Sequence, residues 1–246
     1  MLYFFEDDTI IDMFRKKPVL EYQSILDYYP NIITPAKNHI PEWYKKIPKW
    51  HKNEMFTVGE GFNHSIKHCM PFLDTLTTGY MITLPFDIHV KNNNGEPYIT
   101  WKNEFNQYAP SWRQHIADLS LVPSGFFPME YTWKFNCSFK IPKKYSIFLS
   151  HPINRHDLPF FTLSGIIDGG FALQSNGNAP FYIKKNFEGI IPQGTPIAQL
   201  IPFLNQDWSS KNKKDLIKES SLTEMMSNSF IFGWYKKTFW TRKNYN

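Results

Sequence analysis

The chain is poor in cysteine. Its two cysteines, Cys69 and Cys137, cannot build a disulfide framework, and they lie too far apart in sequence for the short spacing of a zinc site. His115 and Asp118 would share a helix face, but the sequence offers no obvious third ligand nearby. We therefore expect two reduced, packed thiols and no metal site.

Long apolar runs are also absent. No segment approaches the roughly 18 apolar residues that a membrane-spanning helix needs. The first residues, MLYFFEDD, are acidic where a secretory signal would be basic. These features predict a soluble protein that is made in a reducing compartment and has no membrane partner.

Aromatic residues and prolines are abundant instead. Phe, Tyr and Trp make up 17% of the 246 residues, beside 18 Pro and 12 Gly, and this composition favours strands and turns over a helix bundle. The net charge is +5, but the basic residues cluster at 37–52 and 236–243. The charge therefore acts locally, and it permits a nucleic acid or phosphate partner without implying one.

Local patterns divide the chain into three parts. Residues 1–60 form an N-terminal arm with the first strands or a first hairpin, 61–205 a β domain, and 206–246 a helix followed by a basic aromatic arm. Three prolines interrupt the segment 35–56, so we expect a wrapped arm there with at most one helical turn, at 42–46.

Within the β domain, three patterns predict individual strands. Pro85 interrupts the alternating run TGYMITLPFDIHV, and the Asn-Gly pair in KNNNGEPYITWKN predicts a hairpin. The run MEYTWKFNCSFKI alternates so regularly that we expect one half-buried strand, with Trp133, Phe135, Cys137 and Phe139 facing inward. The PKK that follows is interpreted as the turn to a returning strand, YSIFLSHPI.

The tetrapeptide WYKK occurs once in each arm. Its aromatic and basic residues could stack on bases and contact phosphates. Aromatic residues in a Pro-rich arm more commonly anchor that arm to its own domain or to a neighbouring subunit, which is the interpretation we prefer. The predicted arm contacts are Trp43, Tyr44, Lys45, Trp234, Tyr235 and Lys236.

The stretch from 164 to 203 places single polar residues in apolar strands. Asp168 ends the run SGIID, and Gln199 lies within GTPIAQLIPF. An Asp before two glycines is also ordinary turn chemistry, and we weight that interpretation above a catalytic one. A polar corner precedes the stretch, and Asn154 and Arg155 within it predict either a binding corner or an Asx turn with an ion pair.

These motifs carry a resemblance to a known family. PKKYSIFLSHPINR, SGIIDGGF and EGIIPQGTPIAQLIPF, in this order over residues 142–203, resemble the trimeric dUTPase and dCTP deaminase superfamily. The resemblance implies a distorted jelly-roll barrel over 61–205 with Pro- and aromatic-rich arms and few short helices. It also implies a homotrimer in which the C-terminal arm crosses to an adjacent subunit.

The resemblance assigns roles to individual residues. Asp168 would hold the sugar hydroxyl and the attacking water, and Phe171 would stack on the deoxyribose. Gln199 would turn toward the subunit boundary and contact the phosphates. Asn154 and Arg155 lie at the corner where the family grips phosphate.

The chain also departs from the family pattern. Met81 occupies the position of a carboxylate in the first motif, Ile153 and Asn154 replace Arg and Ser, and the glycine-rich C-terminal phosphate clamp is missing. A diphosphate-cleaving site needs several cations and metal-holding carboxylates, so each loss lowers the rate. We expect a barrel that does not hydrolyse nucleotides and needs no cofactor; Mg²⁺ would be required only if it did.

The whole chain is similar to uncharacterised proteins encoded by tailed phages of marine bacteria, which have the phrases HPxNRxDLPF and GTPIAQxIPF and a WYKK tail. This similarity implies a protein of the host cytoplasm or of the virion, where other virion proteins are potential partners. Three hypotheses follow: a non-catalytic oligomeric structural or ligand-binding barrel, a divergent nucleotide pyrophosphatase or deaminase, and a single-strand nucleic-acid binder.

Overall fold

The computed structural model describes residues 17–52, 62–112, 122–173, 178–214, 216–218, 220–221 and 234–246. The protein is mainly β with few short helices, as its composition predicts. The strands are β1 Glu21–Ser24, β2 Ile33–Pro35, β3 Trp50–Lys52, β4 Phe62–His64, β5 Tyr80–Thr83, β6 Ile88–Asn93, β7 Glu96–Thr100, β8 Ser111–Trp112, β9 Tyr131–Lys134, β10 Cys137–Lys140, β11 Tyr145–Ser150, β12 Phe160–Thr162, β13 Gly165–Asp168, β14 Ala172–Leu173, β15 Asn178–Ile183, β16 Gly189–Ile191 and β17 Pro196–Leu204.

Helical segments are short. They are α1 Glu42–Lys46, α2 Met70–Thr77 and α3 Trp234–Thr238, together with 3-10 turns at 36–39, 66–68 and 103–105, and residues 216–218 and 220–221 are helical as well. The helical turn predicted at 42–46 is therefore confirmed as α1. None of the helices in the described ranges is long and apolar enough to cross a membrane.

All strand pairs of the described residues are antiparallel. A five-stranded sheet has the order β13-β11-β17-β5-β2, and a four-stranded sheet the order β12-β15-β9-β8. Two three-stranded sheets, β1-β10-β14 and β16-β6-β7, and the ribbon β3-β4 complete the fold. Buried side chains from the four larger sheets pack into one shared core, which includes Ile82, Ile88, Val90, Trp133, Phe139, Ile147, Phe160, Phe181 and Leu200.

Two predictions from local sequence are confirmed. The alternating run at 78–90 is interrupted at Pro85, so β5 lies in the five-stranded sheet and β6 in another. Asn94 and Gly95 both have positive φ and join β6 to β7 as a tight hairpin, with the Asn92 Oδ1 accepting a hydrogen bond from the Gly95 N–H at 2.8 Å.

The single long strand predicted at 129–141 is wrong in one respect. The inward alternation holds, but the strand breaks at Asn136, where φ is +53°, and passes from the four-stranded sheet as β9 into a three-stranded sheet as β10. Asn136 is buried, and its Nδ2 donates to the carbonyls of Tyr108 and Lys134. The Asn136 amide therefore stabilises the bend between β9 and β10 inside the protein, and it does not face solvent.

The hairpin predicted across PKK is also wrong. β10 pairs with β1 and β14, whereas β11 pairs with β13 and β17. The turn at 141–144 therefore carries the chain from one sheet to the other. In the described part of the N-terminal segment, β1 and β2 likewise join different sheets and do not form a hairpin with each other.

Both cysteines are free, but only one is packed. Cys137 lies in the core, where burial raises the pKa of its thiol to about 12. Cys69 is exposed, so the expectation of a packed thiol is wrong at that position.

Candidate functional site

Asp168 on β13 and Gln199 on β17, the two polar residues predicted in apolar strands, lie beside opposite ends of β11. β11 runs between β13 and β17, with Asp168 opposite Ser146 and Gln199 opposite Ser150. Four residues of extended strand span about 13 Å. Asp168 and Gln199 therefore do not meet at one reacting atom within a single chain.

At the first end, Asp168 is exposed at the close of β13. Its Oδ1 accepts a hydrogen bond from the buried Ser146 hydroxyl at 2.7 Å, and the same hydroxyl lies 2.8 Å from the Asn205 side-chain oxygen position. One hydroxyl carries one proton, so the network is satisfied when the Asn205 amide presents its NH₂ to Ser146. The Asp168 carboxylate is thus held on one side and solvated on the other.

The two glycines after Asp168 form a tight turn against the 141–145 loop. The Gly169 N–H donates to the Tyr145 carbonyl, and Gly170, with φ +98°, donates to the Ile141 carbonyl. A Cβ on Gly169 would lie 2.4 Å from the Pro142 oxygen, which no side chain tolerates. The two glycines are therefore explained by local backbone packing.

Phe171 follows this turn and is 52% exposed. The depression that it shares with Asp168 has a volume of only ≈ 10 Å³. That space accommodates about one water molecule. The described residues of a single chain therefore form no sugar-sized pocket around Asp168 and Phe171, where the resemblance placed deoxyribose.

At the other end of β11, Gln199 is completely buried. Its Oε1 accepts a hydrogen bond from the Ile153 N–H at 2.9 Å, and its Nε2 donates to the carbonyls of Thr75 at 3.0 Å and Thr78 at 2.8 Å. Both N–H donors and the oxygen are thus occupied by the protein's own backbone. This arrangement corrects the expectation that Gln199 turns toward a subunit boundary and contacts phosphate.

The polar corner before β12 is an internally bonded turn. Asn154 has φ +61° and its Nδ2 donates to the Thr75 hydroxyl at 2.7 Å. Arg155 forms a two-pronged ion pair with Asp157, whose carboxylate also accepts from the Trp43 indole N–H at 3.1 Å. Burial would raise the pKa of Asp157, but Arg155 and Trp43 together hold it below its ordinary value. Of the two interpretations left open, the structure shows the turn with an ion pair.

The N-terminal WYKK lies on α1 and docks on its own domain. Tyr44 is buried and stacks on Phe72 of α2, with ring centroids 5.9 Å apart. Trp43 packs edge-on against the same ring, and Lys45 pairs with Glu42. The Tyr44 ring is therefore not available to stack on a base.

The C-terminal WYKK lies on α3, and the tail that follows also reaches α2. The Trp240 indole N–H donates to the Asp74 carboxylate, which pairs with Lys243 at 2.5 Å. Lys236 lies 5.9 Å from the Trp240 ring centroid, Tyr235 is partly exposed, and the side chain of Trp234 lies outside the described residues. The tail at 240–246 thus contacts its own chain.

An apolar row crosses the outer face of the five-stranded sheet. Phe148 on β11 lies between Ile166 on β13 and Ile201 on β17, and Phe203 follows two residues further along β17. Ile166 is 67% exposed and Phe203 39% exposed. These side chains point away from the core that Ile147 and its neighbours fill.

A larger cleft beside this row was not foreseen from the sequence. Its volume is ≈ 510 Å³, and its walls are mostly aromatic and aliphatic, from Pro123, Phe126, Phe148, Ser150, His151, Pro152, Ile153, Asn154, His156, Leu158, Phe160, Phe161, Ser164 and Lys184. The run LPFF immediately after the polar corner was the one available signal, because two adjacent aromatic residues on a strand send one ring to each face. A second cleft of ≈ 330 Å³ lies where residues 17–20 meet the tail at 243–245.

The described residues contain no group of three or more His, Cys, Asp or Glu side chains placed to hold a metal ion. His115 and Asp118 lie outside those residues. The chain matches no protein-family model, and no curated protein is detectably similar to it.

Proposed function

We propose that the protein is a phage-encoded, dUTPase-like β-barrel of the jelly-roll type that assembles as a homotrimer and acts as a structural or ligand-binding module without hydrolysing nucleotides. The barrel rests on the motif resemblance over 142–203, and the phage origin rests on the similarity of the whole chain to proteins of tailed phages. The mainly β fold with one shared core is compatible with such a barrel.

The internal bonding of Gln199 and Arg155 is the observation that carries the non-hydrolytic part of the proposal. Cleavage of a diphosphate needs a base, several cations and usually a metal at one point. Here Asp168 and Gln199 lie beside opposite ends of β11. The Gln199 amide is hydrogen-bonded to the chain's own backbone, and the charge of Arg155 is paired with Asp157. Little of the transition-state charge could be stabilised at either end.

The apolar row on the five-stranded sheet supports self-association. A hydrophobic strip crosses strands that already pair with one another; it consists of the exposed Ile166 and Phe203 and the partly buried Phe148 and Ile201. Such a strip is stabilised by burial against a matching surface, and a second copy of the same chain carries one. The trimeric state itself comes from the family resemblance.

Incubation of the purified protein with the four dNTPs, dUTP and Mg²⁺ tests the catalytic part. We expect no pyrophosphate or phosphate release above the level of a no-protein blank. Release that persists in the wild type and disappears in Asp168→Asn would overturn the proposal and favour the nucleotide hydrolase.

Light scattering coupled to size exclusion tests the assembly. We expect the mass of three chains for the wild type and a smaller species for Ile166→Glu. Ile190→Glu is the matched control, because Ile190 is similarly exposed but lies on β16 in another sheet. A wild type that elutes as a monomer at micromolar concentration would contradict the trimer.

Virion association is tested on the particle itself. Peptide mass spectrometry of purified virions should detect the chain at a stoichiometry comparable with other structural proteins. Its absence from virions, with abundance in the infected cytoplasm, would restrict the proposal to an intracellular ligand-binding module.

A further inference from the structure

The ≈ 510 Å³ cleft beside β11 has the size of a small-molecule site. Small-molecule pockets typically measure about 300–1,000 Å³ and have apolar walls with a few polar groups. This cleft has four phenylalanines in its lining, Phe126, Phe148, Phe160 and Phe161. None of its residues belongs to the Asp168 end of β11.

The rings of Phe126, Phe161 and His151 contact one another at tilted angles and form one aromatic wall of the cleft. The Phe126 and Phe161 ring centroids lie 6.0 Å apart, and the His151 ring lies 5.3 Å from Phe161. His151 Nδ1 accepts from the Thr162 N–H, while Nε2 faces the Arg155 carbonyl at 3.1 Å and therefore carries the proton. The imidazole is thus neutral. A ligand in the cleft would contact the edges and faces of aromatic rings.

One polar side chain in the cleft lining has a hydroxyl that makes no hydrogen bond within the described part of the chain. Ser150 is 4% exposed, and its hydroxyl has no hydrogen-bond partner among the described residues. A buried hydroxyl without a partner destabilises the free protein. A guest with an oxygen at this position would supply the missing partner.

The charged side chain in the described cleft lining is basic. Lys184 donates one of its three ammonium protons to the His156 carbonyl at 2.7 Å, which leaves two for a guest. The cleft-lining residues that the structure describes include no Asp or Glu, and the nearby Asp157 is paired with Arg155. The lining therefore favours an anion over a cation.

From these observations we propose that the cleft binds a small aromatic anion, with its ring packed against the wall that Phe126 and Phe161 form and its anionic group at Lys184. The inference goes beyond the proposed function, because it requires neither the barrel family nor the trimer. It holds equally for a monomeric chain.

Two isosteric probes test it on the full-length protein. In ligand-observed NMR titrations, 2-naphthoate should bind about tenfold more tightly than neutral 2-naphthamide, because only the acid engages the Lys184 ammonium. Lys184→Gln should bring the two affinities together. Lys185→Gln is the matched control, since Lys185 is exposed and outside the cleft lining, and it should leave the difference intact.

Ser150→Ala adds a readout that a purely structural role would not give. It should weaken both probes several-fold while the midpoint of urea unfolding without ligand stays equal or rises, because the removed hydroxyl had no partner to lose. Absence of binding by either probe at millimolar concentration, or equal affinities of acid and amide in the wild type, would overturn the inference. These outcomes are independent of the dNTP and mass measurements, so the two proposals fail separately.

Discussion

The side-chain amide of Gln199 donates a hydrogen bond to the backbone carbonyl of Thr78 across 2.8 Å. The same nitrogen reaches the Thr75 carbonyl, and the amide oxygen receives the Ile153 N–H. One carboxamide therefore connects three segments that are far apart in sequence: β17, the end of α2 and the 151–154 turn. The glutamine of GTPIAQL is a structural residue in this chain.

Gln199→Met should destabilise the fold strongly. The substitution preserves volume but leaves one N–H and two carbonyls of partly buried residues without their partner, which costs on the order of 2–4 kcal/mol. Urea unfolding followed by circular dichroism measures the loss. Gln193→Met is the control, because Gln193 is exposed in the turn before β17. Equal midpoints for the two variants would show that the carboxamide network contributes nothing.

Gly169→Ala should also destabilise the protein, by about 1–3 kcal/mol. The new Cβ would lie 2.4 Å from the Pro142 oxygen and 2.6 Å from the Tyr145 oxygen, so the turn and the 141–145 loop must separate. Gly165→Ala is the comparison, because a Cβ there meets nothing within 4 Å. Thermal unfolding should place Gly169→Ala clearly below Gly165→Ala. The reverse order would contradict the close approach of the two backbones.

Stability should fall as the pH drops from 7 to 5 because of His151. Burial lowers the pKa of His151 from its usual 6.5 to about 4. Between pH 7 and pH 5 the imidazole therefore becomes protonated in the unfolded chain but stays neutral in the folded one. Proton linkage then favours unfolding, by about 2 kcal/mol between pH 7 and pH 5. The measurement is the urea midpoint at pH 7, 6 and 5.

His151→Gln should flatten this pH dependence, since glutamine does not titrate. His156→Gln serves as its control, because His156 is an exposed neighbour. If His156→Gln flattened the profile and His151→Gln did not, the assignment to the buried imidazole would be wrong.

Asp74→Asn should loosen the C-terminal tail. The carboxylate accepts from the Trp240 indole through both oxygens and pairs with Lys243. An amide keeps one acceptor and loses the charge, so tryptic cleavage after Arg242 and Lys243 should accelerate several-fold. Asp207→Asn, on an exposed segment, is the control. Unchanged cleavage in Asp74→Asn would mean that the tail is held by other contacts.

Several features follow from residues that are close in sequence. The interruption at Pro85, the hairpin at Asn94 and Gly95, and α1 within the proline-rich arm were all predicted. Each depends on the φ and ψ preferences of one or two residues, which neighbouring chain segments do not override. The inward alternation of Trp133, Phe135, Cys137 and Phe139 was predictable for the same reason, because the side-chain period of a strand is two.

The partners of polar residues could not be predicted in this way. The sequence pattern marked Asp168, Gln199 and Asn154 as polar residues in unusual places, and it left open whether ligands or the protein satisfied them. Gln199 bonds to groups 46, 121 and 124 positions away, and Asn154 to one 79 positions away. Such contacts depend on which strands pair, and a two-residue period does not encode strand order.

The amino-acid sequence by itself therefore determined a mainly β chain, its breaks and turns, and the inward face of its strands, since these are local preferences and hydrophobic periodicity. Only the tertiary structure decided that the chain changes sheets at Asn136, that Gln199 is sealed inside, and that Phe126, Ser150, Phe161 and Lys184 meet around one cleft. The reason is physical: burial and hydrogen bonding act between segments distant in sequence, and their outcome is set when the sheets pack around a common core.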